Sequence, residues 1–384
     1  MTRIANRMAG LQQSTIRSMT ARCEAVGGIN LGQGLCQVAP PSALLEHGTA
    51  RFEELNHSYS YARGDAGLLE TISAKLAKDN GITADPANQI VATVGATGAF
   101  TATLAALFNP GDGILVLEPC YGYHLSAIRL FELTPQPVRL AAPDFRLERD
   151  TLRAAVTDRT RAIVVCTPAN PSGRRFDREE LGHIAEIAGE HDLLVITDEI
   201  YEYIYYGDEP HLSPGSLPDL AERTVTISGL SKSYSIPGWR LGYVTAPAEI
   251  LAPIQVAADT LSVCAPTPLQ QLARYALSLP DSYYEQLRSM YDGKRRRLAD
   301  AFTAAGMRPN EPEGAYYLFV DCSALGVSSG WEAADHLLEH AGVATIPGEA
   351  FCLNDLGTPI VRACFSVPDD VLEKTALMLE KGRS

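Results

Sequence analysis

Between residues 89 and 228, short runs of Val, Ile and Leu alternate with longer stretches of helical period. The runs fall at 89–94, 113–117, 161–166, 193–197 and 224–228. Several, such as AIVVC and LLVIT, are apolar almost throughout rather than alternating with polar residues. A strand covered on both faces reads this way, and such strands belong to parallel sheets with helices on each side. Helices are expected in between, at 97–108, 122–131 and 177–191. The last opens Asp177-Arg178-Glu179-Glu180, acidic in the turn where the helix dipole favours acid. The alternation predicts an α/β fold: a large doubly wound domain with a mostly parallel sheet over 45–279. Beyond Pro280 the pattern changes to a long helix at 281–305, strands at 315–320, 342–346 and 360–365, and helices at 331–340 and 369–381. These predict a smaller α+β domain from 280–384, with the segment 1–44 packed alongside.

Composition narrows the function. The chain has 384 residues, 46% of them hydrophobic and 20% charged, enough apolar content for a sizeable core. A net charge of −14 argues against nucleic acid or an anionic membrane surface as the main partner. No apolar run approaches the ~20 residues of a membrane span, and the first residues lack the apolar core of a secretory signal. The eight cysteines are dispersed without a C-x-x-C pair. Free thiols in a reducing cytoplasm fit better than a disulfide scaffold or a zinc site, so no metal is expected.

Two motif matches lead away from the chemistry. Gly326-Val327-Ser328-Ser329-Gly330 fits the G-x-S-x-G of hydrolases, but Ser329-Gly330-Trp331-Glu332 fits a capping box opening a helix. Gly32-Gln33-Gly34 lacks the third glycine of a dinucleotide fingerprint.

The informative stretch runs from Ser228 to Gly242. Lys232 follows an apolar strand amid small residues, and Arg240 follows eight positions later amid glycines. Small neighbours admit something flat and bulky, and the arginine offers a fork for a phosphate. A desolvated lysine amine loses its proton readily, which suits Schiff-base chemistry. A lone lysine in a turn is ordinarily a solvent-exposed cation; its company argues otherwise here.

Residues 229–242 satisfy, at every defined position, the lysine signature of the class I/II aminotransferases. The chain is therefore identified as resembling that family of fold type I pyridoxal-phosphate (PLP) enzymes, including the aspartate aminotransferases. The resemblance implies that Lys232 holds the cofactor as a Schiff base and later shuttles a proton. It implies further that Ala96 and Thr97, in the turn Gly95-Ala96-Thr97-Gly98, bind the phosphate with Arg240, Ser231 and, less directly, Ser228. Tyr121 would stack on the ring, Asp198 would pair with its nitrogen, and Asn170 and Tyr201 would share its phenolic oxygen. Alone, Thr97 or Asp198 would read as a helix cap and Tyr121 as a core residue. Arg362, in the apolar strand Ile360-Val361-Arg362-Ala363-Cys364, would clamp the substrate carboxylate, with Gly34 and Asn170 beside it. Tyr59, five residues before Gly64, would reach the phosphate bound by a second subunit, implying a homodimer with shared sites. The implied reaction moves an amino group from an α-amino acid to a 2-oxo acid. The chain departs from the family at Leu35-Cys36-Gln37-Val38, where members often have Pro-Asp-Phe. That loop leaves a second reading open: elimination, replacement, cyclisation or oxidation on the same cofactor.

Overall fold

The near-continuous apolar runs form a central sheet. The computed structural model describes residues 4–8, 11, 14–354 and 356–382. In chain order its strands are β1 (Ile29–Asn30), β2 (Ile90–Val94), β3 (Gly113–Glu118), β4 (Thr134–Arg139), β5 (Thr160–Cys166), β6 (Leu194–Asp198), β7 (Thr224–Gly229), β8 (Leu241–Thr245), β9 (Arg308–Pro309), β10 (Tyr317–Asp321), β11 (Val343–Ala344), β12 (Ile346–Pro347) and β13 (Ile360–Cys364). Seven of them build one sheet in the order β2-β8-β7-β6-β5-β3-β4. Strands β3 to β7 pair in parallel, whereas β8 runs antiparallel to both its neighbours. The expected mostly parallel α/β sheet is present, with two strands that the pattern did not announce. Strand β4 carries Pro135 and Pro137, which cannot donate to a ladder, and it lies at the sheet edge where proline is tolerated. Strand β8 begins directly after the Lys232 loop and reads as part of it.

Both faces of the sheet are covered. Ile114, Val116, Ala162 and Val164 pack into one apolar cluster; Leu115, Leu117, Ile163 and Val165 pack into the other. Successive side chains point to opposite faces, so covering both faces demands apolar residues at every position. The helix Gly95–Leu107 supplies Ala99 and Phe100 to the first cluster, and Arg178–Glu190 supplies Leu181, Ile184 and Ile187 to the second. The latter starts on a true capping box: Asp177 accepts the Glu180 N–H at 3.0 Å, and Glu180 accepts the Asp177 N–H at 3.1 Å.

The remaining strands form a four-stranded sheet, β12-β13-β10-β9, and a two-stranded pair, β1-β11. The strand expected at 342–346 is divided: β11 pairs in parallel with β1, while β12 joins β13. The helix Thr15–Val26 packs on β11 and β12, so the N-terminal segment sits with these smaller sheets. Ser329 caps Gly330–Ala341 by accepting the Glu332 N–H at 3.1 Å. The Glu332 carboxylate turns to Ser328 instead of closing the expected box, and so occupies the hydroxyl of the hydrolase-like match.

Candidate active site

Open α/β sheets bind ligands beyond the carboxyl ends of their strands. Ala96 and Thr97 follow β2, Tyr121 follows β3, Asn170 follows β5, Asp198 ends β6, and Ser231 and Lys232 follow β7. All of them line one cleft of about 430 Å³, together with Gly34, Tyr201, Arg240 and Arg362. Each of these expected residues thus reaches the same cavity from a different part of the chain.

Lys232 lies deep in this cleft, its Nζ donating to the Gly34 carbonyl at 3.1 Å and sitting 5.6 Å from the Tyr316 ring centre. Burial pushes its pKa below the usual lysine value, and the Arg362 charge adds to the effect. Tyr316 holds the same carbonyl through its hydroxyl at 3.0 Å. Glycine is required at 34, because a Cβ there would stand 2.3 Å from the Tyr317 hydroxyl.

Around the lysine the polar groups are fixed in pairs. Asp198 Oδ2 is hydrogen-bonded to His124 Nε2 at 2.9 Å, and Asp198 Oδ1 accepts the Ile200 N–H at 3.2 Å. Tyr201 and Tyr317 join hydroxyls at 2.9 Å. Burial raises the pKa of Tyr201, Tyr317 and Tyr121, so each phenol keeps its proton and can donate it. Arg362 is 0% exposed on the inner strand β13. Its Nη1 donates to Asn170 Oδ1 at 2.8 Å and its Nη2 to the Gly32 carbonyl at 2.6 Å, while Nε has no partner among the described residues. The Tyr317 and Phe351 rings lie 4.4 and 4.7 Å from its guanidinium carbon. An arginine amid Ile, Val, Ala and Cys is explained: its side chain leaves the apolar sheet for the cleft.

The other end of the cleft is built for an anion. The helix Gly95–Leu107 opens there, and the first N–H groups of a helix have no internal acceptor. Gly95 takes a φ of 68°, and a Cβ on it would meet Arg240 Nη2 at 2.7 Å. A Cβ on Gly242 would meet the Ala96 nitrogen at 2.5 Å. These two glycines let Arg240 and β8 close against the turn. A desolvated amine, an orphaned buried guanidinium N–H and an anion cradle together fit a phosphorylated ring aldehyde and an amino acid.

Several cleft residues carried no role from the sequence, His124 and Tyr317 among them. His124 sits three positions after Tyr121, one turn into the helix Gly122–Leu130, and its ring meets Tyr121 edge-on at 5.3 Å. Tyr317 lay in a matched stretch without an assignment. Two other residues are elsewhere. Ser228 is buried behind the cleft, donating to Glu202 Oε1 at 2.6 Å in a network that also holds Lys75. Tyr59 is 78% exposed and outside the cleft of its own chain. In the atypical loop, Cys36 approaches the Ser231 carbonyl and the Tyr316 hydroxyl, each at 3.6 Å.

Fold and cleft together define a fold type I pyridoxal-phosphate-dependent aminotransferase. The chain belongs to the class I and II aminotransferases, whose family profile matches residues 26–377. It is 33% identical over 381 residues to a probable N-succinyldiaminopimelate aminotransferase of Mycobacterium tuberculosis, covering 96% of each chain. It is 33% identical over 356 residues to an aspartate aminotransferase of Pyrococcus abyssi, covering 92% of this chain and 91% of that one. The solved N-succinyldiaminopimelate aminotransferase from M. tuberculosis superposes with a TM-score of 0.95 at 33% identity, over 98% of this chain and 99% of that one. Transamination is thus the reaction; the loop at 35–38 does not displace it. Among the described residues no helix is long and apolar enough to cross a membrane, and no cluster of potential metal ligands occurs.

Proposed function

We propose that Lys232 carries the cofactor and is also the group that moves the substrate proton. The observation that carries this reading is its amine deep in the cleft, where burial makes it give up its proton more readily than an ordinary lysine. Pyridoxal phosphate supplies an aldehyde that condenses with amines and a ring that withdraws electrons when the α-hydrogen leaves. Asp198, steadied by His124 and the Ile200 N–H, holds the proton on the ring nitrogen. Tyr201 and Asn170 would hold the cofactor's phenolic oxygen, and Tyr121 would cover its ring. The Ala96 and Thr97 N–H groups, Ser231 and Arg240 hold the phosphate. Arg362 takes the substrate's α-carboxylate on its free N–H groups, with Asn170 fixing its plane and Gly34 leaving room. With the cofactor bound, the Lys232 amine would be the base placed to take up the substrate's α-hydrogen and to give the proton back.

The same proposal divides the chain into a cofactor domain, 45–279, and a smaller domain from 1–44 and 280–384. It makes the working unit a homodimer. Tyr59 and Tyr61 are 78% and 85% exposed, too apolar a pair to leave in water on a loop. The Ser60 N–H bonds Thr267 Oγ1 at 2.9 Å, which brings this loop to the turn where Leu261 and Val263 are also exposed. A second copy covering this patch places its Tyr59 at the phosphate. Cys23, Cys36, Cys120, Cys166, Cys264, Cys322 and Cys364 are free thiols, which supports a cytoplasmic site of action. The test mixes two impaired variants, Tyr59→Ala and Lys232→Ala. Heterodimers gather both lesions in one site and leave the other whole, so mixing should restore about a quarter of wild-type activity. Activity no higher than the sum of the separate variants, or a fully active monomer by light scattering, overturns the shared site.

A further inference from the structure

The charge of the cleft is opposite to that of the chain. Against a net −14 for the protein, the charged residues that line the cleft among the described residues are Arg17, Lys232, Arg240 and Arg362, with Asp198 the single carboxylate. Three of the cations have work in the reading above: attachment, phosphate and α-carboxylate. Asp198 is engaged with His124. Arg17 is surplus.

Its placement is not that of an incidental surface cation. The helix Thr15–Val26 is pinned on its other faces. Met19 and Cys23 are buried in the core, the Thr20 hydroxyl accepts from Asn30 and Gln33 at 3.1 and 2.8 Å, and Arg22 pairs with Asp335 at 2.7 Å. Rotation by 100° per residue then turns Ile16 and Arg17 together to the cleft. Arg17 is exposed and, among the described residues, its side chain makes no hydrogen bond or ion pair. Its fork is therefore free, unlike that of Arg22 one turn further on.

The cleft thus has two anion anchors besides the phosphate cradle: Arg362, fully buried at the inner end, and Arg17, exposed at the opening. A substrate held by its α-carboxylate on Arg362 must extend its side chain away from that buried end. Ile16 and Leu35 give the same cleft apolar lining, suited to methylenes. We propose that Arg17 is a specificity residue that receives a second carboxylate, at the far end of the substrate side chain. The preferred substrates are then dicarboxylic amino acids and dicarboxylic 2-oxo acids, met at each end by a guanidinium fork. The inference rests on Arg362 taking the α-carboxylate.

The test compares glutamate with glutamine, equal in length but neutral at the distal end, on the holoenzyme. The wild type should prefer glutamate. Arg17→Gln should lower kcat/KM for glutamate about tenfold to a hundredfold and move glutamine by no more than about twofold. Arg17→Lys, keeping charge without the fork, should restore part of the loss. Calorimetric binding of glutarate and pentanoate provides a readout free of turnover: glutarate should bind tighter to wild type, and Arg17→Gln should remove that advantage. Equal losses for both amino acids, no loss for either, or no glutarate advantage in the wild type overturns the assignment. Arg362→Ala separates the two readings. If it spares both amino acids, the α-carboxylate reading fails; if it removes both while Arg17→Gln discriminates neither, only the Arg17 assignment fails.

Discussion

Replacing Arg362 with lysine keeps the charge and removes the geometry. In the structure two of its five N–H groups are committed, to Asn170 at 2.8 Å and to Gly32 at 2.6 Å. Three remain, including Nε, which is buried and without a partner among the described residues. An ammonium has three donors in a compact tetrahedron. It cannot hold Asn170 and Gly32, two residues 138 positions apart on different elements, and still make two parallel bonds to a carboxylate. At least one charge-assisted hydrogen bond to substrate is lost, about 1.5–3 kcal/mol. That corresponds to roughly a ten- to hundredfold drop in kcat/KM. Flanking contacts to Tyr317 and Phe351 weaken as well. That loss falls on the free and the substrate-bound protein alike, so it lowers thermal stability without adding to the kinetic effect. The phosphate cradle formed by Gly95, Ala96 and Arg240 contains no atom of Arg362, so cofactor affinity should fall by less than substrate affinity. The assay is kcat/KM for the amino donor at saturating pyridoxal phosphate, beside titration of the apoprotein with cofactor. A kinetic loss under about threefold, well short of one charge-assisted bond, or a larger loss in cofactor affinity than in kcat/KM, refutes the placement of Arg362 at the substrate.

Two further predictions concern the same cleft. Gly34→Ala sets a Cβ 2.3 Å from the Tyr317 hydroxyl, which is itself tied to Tyr201; the loop must shift, and kcat/KM should fall at least about tenfold, as expected when positioning groups are displaced. Unchanged kinetics would show that Tyr317 moves aside at little cost. Lys232→Met should raise the melting temperature of the apoprotein near neutral pH. The folded-state pKa of Lys232 is held below the ordinary 10.5, chiefly by burial, so between the two values the unfolded chain binds more protons and stability rises with pH. The penalty is fully present below the folded pKa and is gone above the unfolded one. The advantage of the methionine variant should therefore shrink as pH climbs toward the ordinary lysine value, and parallel melting curves at every pH would contradict a desolvated lysine.

What could be read from the sequence followed from how local the signal was. Runs such as Ala162–Val165 announce a strand covered on both faces, because period 2 and full burial leave no polar position. Lys232, Arg240, Asp198 and Asn170 each stand at a strand end, where chain order alone predicts convergence at one sheet edge. Strand β4 escaped because Pro135 and Pro137 suppress the strand signal while remaining compatible with an edge. Strand β8 escaped because Gly242, which a close approach to Ala96 demands, weakens its β character. The division at Thr345 depends on which sheet each half joins, a tertiary choice with no local mark. His124 and Tyr317 act on Asp198 and Tyr201 across 74 and 116 positions, and no spacing rule reaches that far. Arg17 is an ordinary helical arginine until the fold turns it toward the cleft.

The central claim is that Lys232 is the point of attachment of the cofactor. Borohydride reduction of the holoenzyme, followed by proteolysis and mapping of the phosphopyridoxyl peptide, tests it directly. The account predicts a single modified peptide containing Ser231-Lys232-Ser233, labelled on Lys232. A label on any other lysine, or none on a holoenzyme that turns over, would contradict it.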